Sequence, residues 1–275
     1  MTRWYEKCTD NSWAKNVFIE TVARVSIMKK LRLTKFWGVV GTTWALISVA
    51  FFGAAILLSA PFVGAKRAFF GIGKWWIRQQ LWLCGGSWSS RGWENLPENI
   101  RDGSQPAVFV SNHESFLDPP MLMGAIPVPA VYIAKKEVKR MPFVGWVAWA
   151  AGMIFIDRSN PEKAAETIEE AAMQIRQGKN AVIFPEGTRT RDGRIGRFKK
   201  GGFSLAMKAG VPIVPLATVG GWDVLPRGAL RFRPAAIHVV FGETVFPDRF
   251  ETKESLISEV ERQIREMAEK VERGV

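Results

Sequence analysis

Between Glu20 and Glu94 the sequence has no aspartate or glutamate, although ten lysines and arginines, from Arg24 to Arg91, fall in the same interval. That is the composition of a segment held against anionic lipid headgroups. Cysteine is scarce as well. Cys8 and Cys84 are the only two, too few and too far apart for a disulfide framework or a thiolate zinc site, so a reducing cytosolic face is expected. Histidine is equally sparse, with His113 and His238 alone. No set of His, Cys and carboxylate residues has metal-ligand spacing, which leaves no metal and no resident cofactor to expect. The net charge of +12 raises nucleic acid as a partner, but no helix-turn-helix, zinc or RNP pattern accompanies it, and an anchoring region accounts for much of the asymmetry, so no nucleic-acid partner is expected. Internal repeats and low-complexity segments are also missing.

What the acid-free region does contain is tryptophan: nine of the twelve lie at or before Trp93, and indole rings favour the membrane interface. Its centre, Phe36 to Ala60, is uncharged. About 25 residues of helix rise roughly 38 Å, enough to cross a hydrocarbon core. Cations flank this run on both sides, so charge bias chooses no orientation. A hairpin returning through KRAFFGIGKWWIRQQLWLC fits as well as a single crossing. A cleaved signal peptide fits poorly, because the basic stretch ahead of the run is long and Pro61 follows the only small-residue site. Residues 13–31 repeat apolar positions at helical spacing, which reads either as an interfacial amphipathic helix or as a packed core helix.

Two regions are therefore expected: residues 1–95, a membrane-associating helical region with its hydrophobic segment at about 36–60, and residues 96–275, an α/β domain. In the second, AVFVS (107–111), AVYIA (130–134), GMIFI (152–156), AVIF (181–184), VPIVPLATV (211–219) and AIHVVFG (236–242) read as strands. Helices fall between them, such as PEKAAETIEEAAMQIRQ with Asn160 as N-cap, Pro161 in the first turn and Gly178 past the end. Alternation of this kind implies a mainly parallel sheet flanked by helices. The segment from Thr252 to Glu272 reads as a charged amphipathic covering helix.

In open α/β sheets chemistry gathers at the carboxyl ends of strands. Three strand-like runs end in polar clusters. After AVFVS comes NHESFLDPP. Residues five apart point about 140° away from each other on a helix, so His113 and Asp118 meet only if the helix starts at Asp118. Asp118 followed by Pro119 reads as such a start, with Asp118 as N-cap. His113 in the turn before it can then present one ring nitrogen to the carboxylate and the other to a cleft, as a general base does; the plain alternative is a capping Asp and a histidine that fills a turn. After AVIF comes PEGTRTRDGRIGRFKKGG, a Pro185–Gly187 turn with Glu186 beside it, crowded by Arg189, Arg191, Arg194, Arg197, Lys199 and Lys200. Guanidinium forks match phosphate oxygens, against the plain alternative of a solvated basic loop. After GMIFI come Asp157 and Arg158, either an ion pair at a strand end or a second phosphate contact.

These blocks, in this order, resemble the glycerolipid acyltransferases that include the 1-acylglycerol-3-phosphate acyltransferases: Asn112-His113 with Asp118 four intervening residues on, Gly152 to Arg158, Phe184 to Arg189, and Val211 to Pro215. The resemblance extends from about Ala107 to Pro215. It implies that His113 takes the proton from a lysophospholipid hydroxyl, that Asp118 orients it, and that the hydroxyl attacks an acyl thioester with no protein nucleophile. It implies that Glu186, Gly187 and Thr188 hold the acceptor, and that Arg189 and Arg158 bind its phosphate. Membrane phospholipid and lysophospholipid, with acyl-CoA or acyl-carrier protein as donor, are the partners it implies, and a membrane location with the catalytic domain facing the cytosol follows. Glycerol-3-phosphate or another lysolipid is the alternative acceptor, and oligomeric state is not legible.

Two other classes fit less well. Gly202-Phe203-Ser204-Leu205-Ala206 loosely resembles a hydrolase nucleophile elbow, but Lys199 to Gly202 reads as a helix start with no strand ahead of it. A non-enzymatic lipid-binding protein explains the anchor and the basic loop but gives no reason for His113 and Asp118. His238 sits mid-strand and reads as a core or sheet-edge residue.

Overall fold

The structure is a computed structural model that describes residues 34–83, 85–157, 159–229 and 231–274. The amphipathic pattern at 13–31 lies outside these residues, as do Cys8 and Cys84. The first helix, α1 (Thr34–Val63), runs 30 residues and turns through Gly64 into α2 (Ala65–Leu83), which returns antiparallel beside it. The hairpin closes on polar groups as well as apolar ones. Trp76 Nε1 donates to Ser48 Oγ at 2.8 Å and Gln80 Nε2 to the Gly41 carbonyl at 3.0 Å. Ser48 and Gln80 are wholly buried there, so each finds the partner that burial demands. One face of α1 stays outside: Val39, Ile47, Phe51, Leu58 and Phe62 recur at helical spacing and are all exposed. Among the described residues one helix, Gly38–Val63, is long and apolar enough to cross a membrane.

The remaining elements follow as β1 (Ser87–Arg91), α3 (Glu98–Arg101), β2 (Val108–Ser111), α4 (Asp118–Ala125), β3 (Ala130–Lys135), α5 (Val144–Ala150), β4 (Ile154–Ile156), α6 (Pro161–Arg176), β5 (Asn180–Ile183), α7 (Lys200–Ala209), β6 (Ile213–Val219), α8 (Gly221–Val224), β7 (Ala236–Phe241) and α9 (Lys253–Glu272). Seven strands form one sheet in the order β1-β7-β6-β2-β5-β3-β4. The five from β6 to β4 are mutually parallel; β7 runs antiparallel to β6, and β1 is parallel to β7. The mainly parallel α/β fold is thus the one the alternation of elements implies. The central β2 and β5 are buried at every position, as unbroken apolar runs covered on both faces must be. Their cover comes in two packed groups: α6, α7 and α9 in one, and the helical hairpin with α4 in the other. Phe109 and Phe203 are fully buried in the main core; cutting either to alanine costs about 3–5 kcal/mol.

Local signals set several boundaries. Asn160 accepts from the Lys163 N–H at 3.1 Å and so caps α6, and Thr252 does the same for α9 through Ser255. The strand SWSSR has no apolar run, yet it pairs with β7 from inside the stretch that composition assigns to the anchor. Ser89 Oγ and His238 Nδ1, 2.9 Å apart, tie that edge strand to its neighbour, and burial holds the His238 imidazole below its ordinary pKa. His238 is accordingly a sheet residue beside the edge.

Candidate active site

The carboxyl ends of β5, β2 and β6 lie side by side, because β2 pairs with both of the others in parallel. The β2–β6 ladder ends at Ser111 opposite Leu216, and the Asn112 side chain extends it. Its Oδ1 accepts from the Thr218 N–H and its Nδ2 donates to the Thr218 carbonyl, both at 2.8 Å. From this clamp the chain turns sharply into α4. Pro119 and Pro120 stand in the first turn, where a missing N–H costs nothing.

His113 Nδ1 lies 2.7 Å from Asp118 Oδ2, with the carboxylate wholly buried and the imidazole 17% exposed. A carboxylate only accepts, so Nδ1 carries the proton and Nε2 is left with a free lone pair. The expectation for Asp118 needs one correction. It is not the N-cap of α4: Leu117 holds that position with helical backbone angles and no side-chain cap bond, and Asp118 is the first helical residue. Its carboxylate faces back into the turn instead, where Oδ2 also accepts from the Glu114 N–H at 2.6 Å and the Ser115 N–H at 2.9 Å. One oxygen therefore organises both the loop backbone and the histidine tautomer. The other, Oδ1, is buried without a donor and faces Gly221, where an added Cβ would stand 2.8 Å away.

The imidazole plane is set by aromatic stacking. Phe184, the residue after β5, lies parallel to it at 4.1 Å between ring centres, and Tyr132 of β3 stacks on Phe184 at 6.4 Å. Tyr132 in turn donates to the Pro119 carbonyl at 2.6 Å.

Glu186 is buried and gives both oxygens to backbone N–H groups, His113 on one side and Gly196 on the other, each at 2.8 Å. The family resemblance implies a hold on the acceptor; in the structure this carboxylate joins the two polar loops. Burial raises its pKa. Thr190 N–H closes the junction by donating to the His113 carbonyl at 2.9 Å. Gly187 turns the loop with a φ of 73°, in the left-handed region that a side chain would strain.

Beyond Glu186 the basic loop bounds a cavity of about 480 Å³, which Thr188, Arg189, Arg191, Arg194, Arg197 and Arg227 line. Arg189 stands over the Phe116 ring at 5.6 Å, which brings it to the loop that carries His113. Lys200 is engaged elsewhere, in an ion pair with Glu254. Asp157 pairs at 2.6 Å with Lys136 on the neighbouring strand end, so its role is the ion pair at a strand end. Arg158 lies outside the described residues. Ser204 is inside α7, donating to the Lys200 carbonyl at 3.1 Å and accepting from Lys253 at 2.9 Å, which is no nucleophile elbow.

Several neighbours had no clear sequence signal. Glu114 is buried next to His113; its Oε2 accepts from the Trp222 N–H at 3.2 Å. Burial first, then the Asp118 charge, pushes its pKa up to about 8. Phe184 belongs to the Phe184 to Arg189 block, but its stacking on His113 is not legible there; Gly221 is an ordinary turn residue until the fold brings it to Asp118, and Arg227 is one arginine among many.

A half-buried imidazole paired with a buried carboxylate, beside an arginine-lined cavity at the carboxyl ends of a mainly parallel sheet, equips this α/β fold for proton abstraction next to an anionic group. The chain belongs to the acyltransferase family, whose model, Acyltransferase, matches residues 56–219. It is similar to a 1-acyl-sn-glycerol-3-phosphate acyltransferase of Pseudomonas aeruginosa, with 32% identity over 206 residues that cover 72% of this chain and 77% of the relative. The chloroplastic 1-acyl-sn-glycerol-3-phosphate acyltransferase BAT2 of Brassica napus is 36% identical over 139 residues, 50% of this chain but only 39% of that longer protein. In three dimensions it resembles the crystal structure of the 1-acyl-sn-glycerophosphate (LPA) acyltransferase PlsC from Thermotoga maritima, with a TM-score of 0.75, 25% identity, and coverage of 87% of this chain and 98% of that one.

Proposed function

We propose that this chain transfers a fatty acyl group from an acyl thioester, acyl-CoA or acyl-carrier protein, to the free sn-2 hydroxyl of 1-acylglycerol-3-phosphate, giving phosphatidic acid. The observation that carries this reading is the 2.7 Å contact between His113 and the buried Asp118, set against an arginine-lined cavity. His113 Nε2 accepts the hydroxyl proton as the oxygen attacks the thioester carbonyl carbon. The carbon–oxygen bond forms, the tetrahedral intermediate collapses with cleavage of the carbon–sulfur bond, and the imidazolium returns its proton to the departing thiolate. Asp118 holds the tautomer and stabilises the imidazolium. A thiolate leaves readily, so the enzyme's task is to position the acceptor and deprotonate it.

In this reading Arg189 holds the acceptor phosphate, and the family resemblance implies a further phosphate contact from Arg158. Gly187 and Thr188 frame the glycerol, and Glu186 holds the histidine loop in register with the phosphate loop. The exposed stripe of α1 fits association with a membrane of the inner or endoplasmic type, the catalytic domain facing the cytosol. A lysophospholipid then stays in its leaflet while a soluble donor arrives from the aqueous side. The test is His113→Ala in the purified full chain, assayed with lysophosphatidic acid against both donor types. The expected result is loss of acyl transfer with membrane association retained; unchanged transfer by the folded variant would sink the general-base role.

A further inference from the structure

We propose that Arg227 is a second phosphate-recognising residue, acting with Arg189, and that the pair selects a phosphomonoester acceptor over lysolipids whose phosphate is esterified twice. The inference rests on the acceptor reading above and names what discriminates within it. Arg227 lies in the loop after α8, 38 residues beyond Arg189, and no sequence motif connects them. In the fold its Nη1 donates to Thr188 Oγ1 at 3.3 Å and to the Arg189 carbonyl at 3.4 Å. Those two bonds lean the Arg227 side chain on the Thr188–Arg189 segment, and both arginines line the cavity of about 480 Å³.

Neither guanidinium has a carboxylate at ion-pair distance among the described residues. The two cations are close enough to oppose each other: burial first, then the Arg227 charge, lowers the Arg189 pKa. The acids of the cavity wall form no ion pair with either guanidinium. Glu186 spends both oxygens on the His113 and Gly196 N–H groups, while Asp192 accepts from Thr190 Oγ1 and the Arg194 N–H. The Asp118 charge offsets part of this opposition at Arg189, but two adjacent guanidinium forks without an ion-paired carboxylate are matched best by an anion with more than one charge and oxygens enough for both. A phosphate monoester brings about −1.5 to −2 charges at neutral pH and three terminal oxygens. A diester brings a single charge and two free oxygens, so it satisfies one fork and leaves the other short.

The test is steady-state kinetics of full-length Arg227→Gln and Arg227→Lys in detergent micelles, with lysophosphatidic acid, with a phosphodiester lysophospholipid such as lysophosphatidylglycerol, and with the acyl donor varied separately. Losing a hydrogen bond between charged groups corresponds to roughly a ten- to hundredfold effect. The expected result for Arg227→Gln is a rise of that size in KM for lysophosphatidic acid, a donor KM within about twofold of the parent, and a ratio of kcat/KM between the two acceptors that shrinks about tenfold. Arg227→Lys, which keeps the charge but not the fork, should fall between. An unchanged KM for lysophosphatidic acid, or an equal loss on both acceptors, overturns the proposal. A rise confined to the donor KM also overturns it and assigns Arg227 to the donor's phosphates. Failure of the acceptor reading shows separately, as a parent protein that acylates the diester lysolipid but not lysophosphatidic acid.

Discussion

Replacing Asp118 by asparagine keeps the side-chain shape and removes the charge on which the site is organised. Asp118 Oδ2 accepts three hydrogen bonds at once, from His113 Nδ1 at 2.7 Å, Glu114 N at 2.6 Å and Ser115 N at 2.9 Å. Asparagine has one acceptor oxygen and one donor nitrogen, and either placement does harm. If the oxygen keeps the backbone donors and the imidazole, the imidazolium formed during transfer loses its counter-charge. If the nitrogen turns to His113, Nδ1 must accept, the ring proton moves to Nε2, and the lone pair that takes the substrate proton is gone. General-base assistance of this kind contributes about 10²–10⁴-fold, and that is the expected loss in kcat. The backbone bonds lose their charge assistance, about 1–3 kcal/mol of stability, or a few degrees in Tm for each kcal/mol in a chain of this size. The assay is thiol release from acyl-CoA in detergent with lysophosphatidic acid as acceptor, beside a thermal melt. KM for both substrates should stay within a few-fold. A folded Asp118→Asn variant that keeps more than a tenth of the parent kcat would refute this account of the pair.

Gly221→Ala tests the same carboxylate from behind: the new Cβ would stand 2.8 Å from Asp118 Oδ1 and 3.1 Å from Ser115 Cβ, so kcat should fall at least tenfold, and an unaffected rate would show that the turn after β6 does not hold Asp118 in place. For Glu114, folding raises the pKa from 4.5 to about 8, so between those values the folded chain binds the proton that the unfolded chain releases. Stability from this group is therefore present below about pH 4.5, declines as pH rises, and is lost above about 8, by at most about 5 kcal/mol. Melting curves from pH 5 to 9 should show the parent losing Tm relative to Glu114→Gln as pH rises; parallel curves would contradict the buried acid. Ser204→Ala removes a hydroxyl that bonds only within and beside α7, and should leave acyl transfer within about twofold, whereas abolished turnover in a folded variant would reinstate a serine nucleophile.

Much of this was legible from short-range signals. The cap at Asn160 and the central strand runs depend on neighbours within a few residues, where steric and hydrogen-bonding rules act on the sequence directly. The Asp118 cap assignment failed for a physical reason of the same range: two prolines can start a helix whatever precedes them, and here the carboxylate served the turn rather than the helix. SWSSR was illegible because an edge strand needs no apolar alternation, only a partner with free backbone groups, and β7 lies far along the chain. The role of Glu186 was hidden similarly, since its two donors come from His113 and Gly196, 73 and 10 residues away.

By itself, the sequence determined the membrane-seeking character of the acid-free region, the alternation that builds a parallel sheet, and the helix start that lets His113 and Asp118 meet five residues apart. Each is settled by composition, periodicity or local backbone chemistry. Only the tertiary structure decided that Phe184 sets the imidazole plane, that Gly221 leaves room for the buried carboxylate, and that Arg227 stands beside Arg189. These depend on which strand ends become neighbours, and sheet order is fixed by burial over the whole domain.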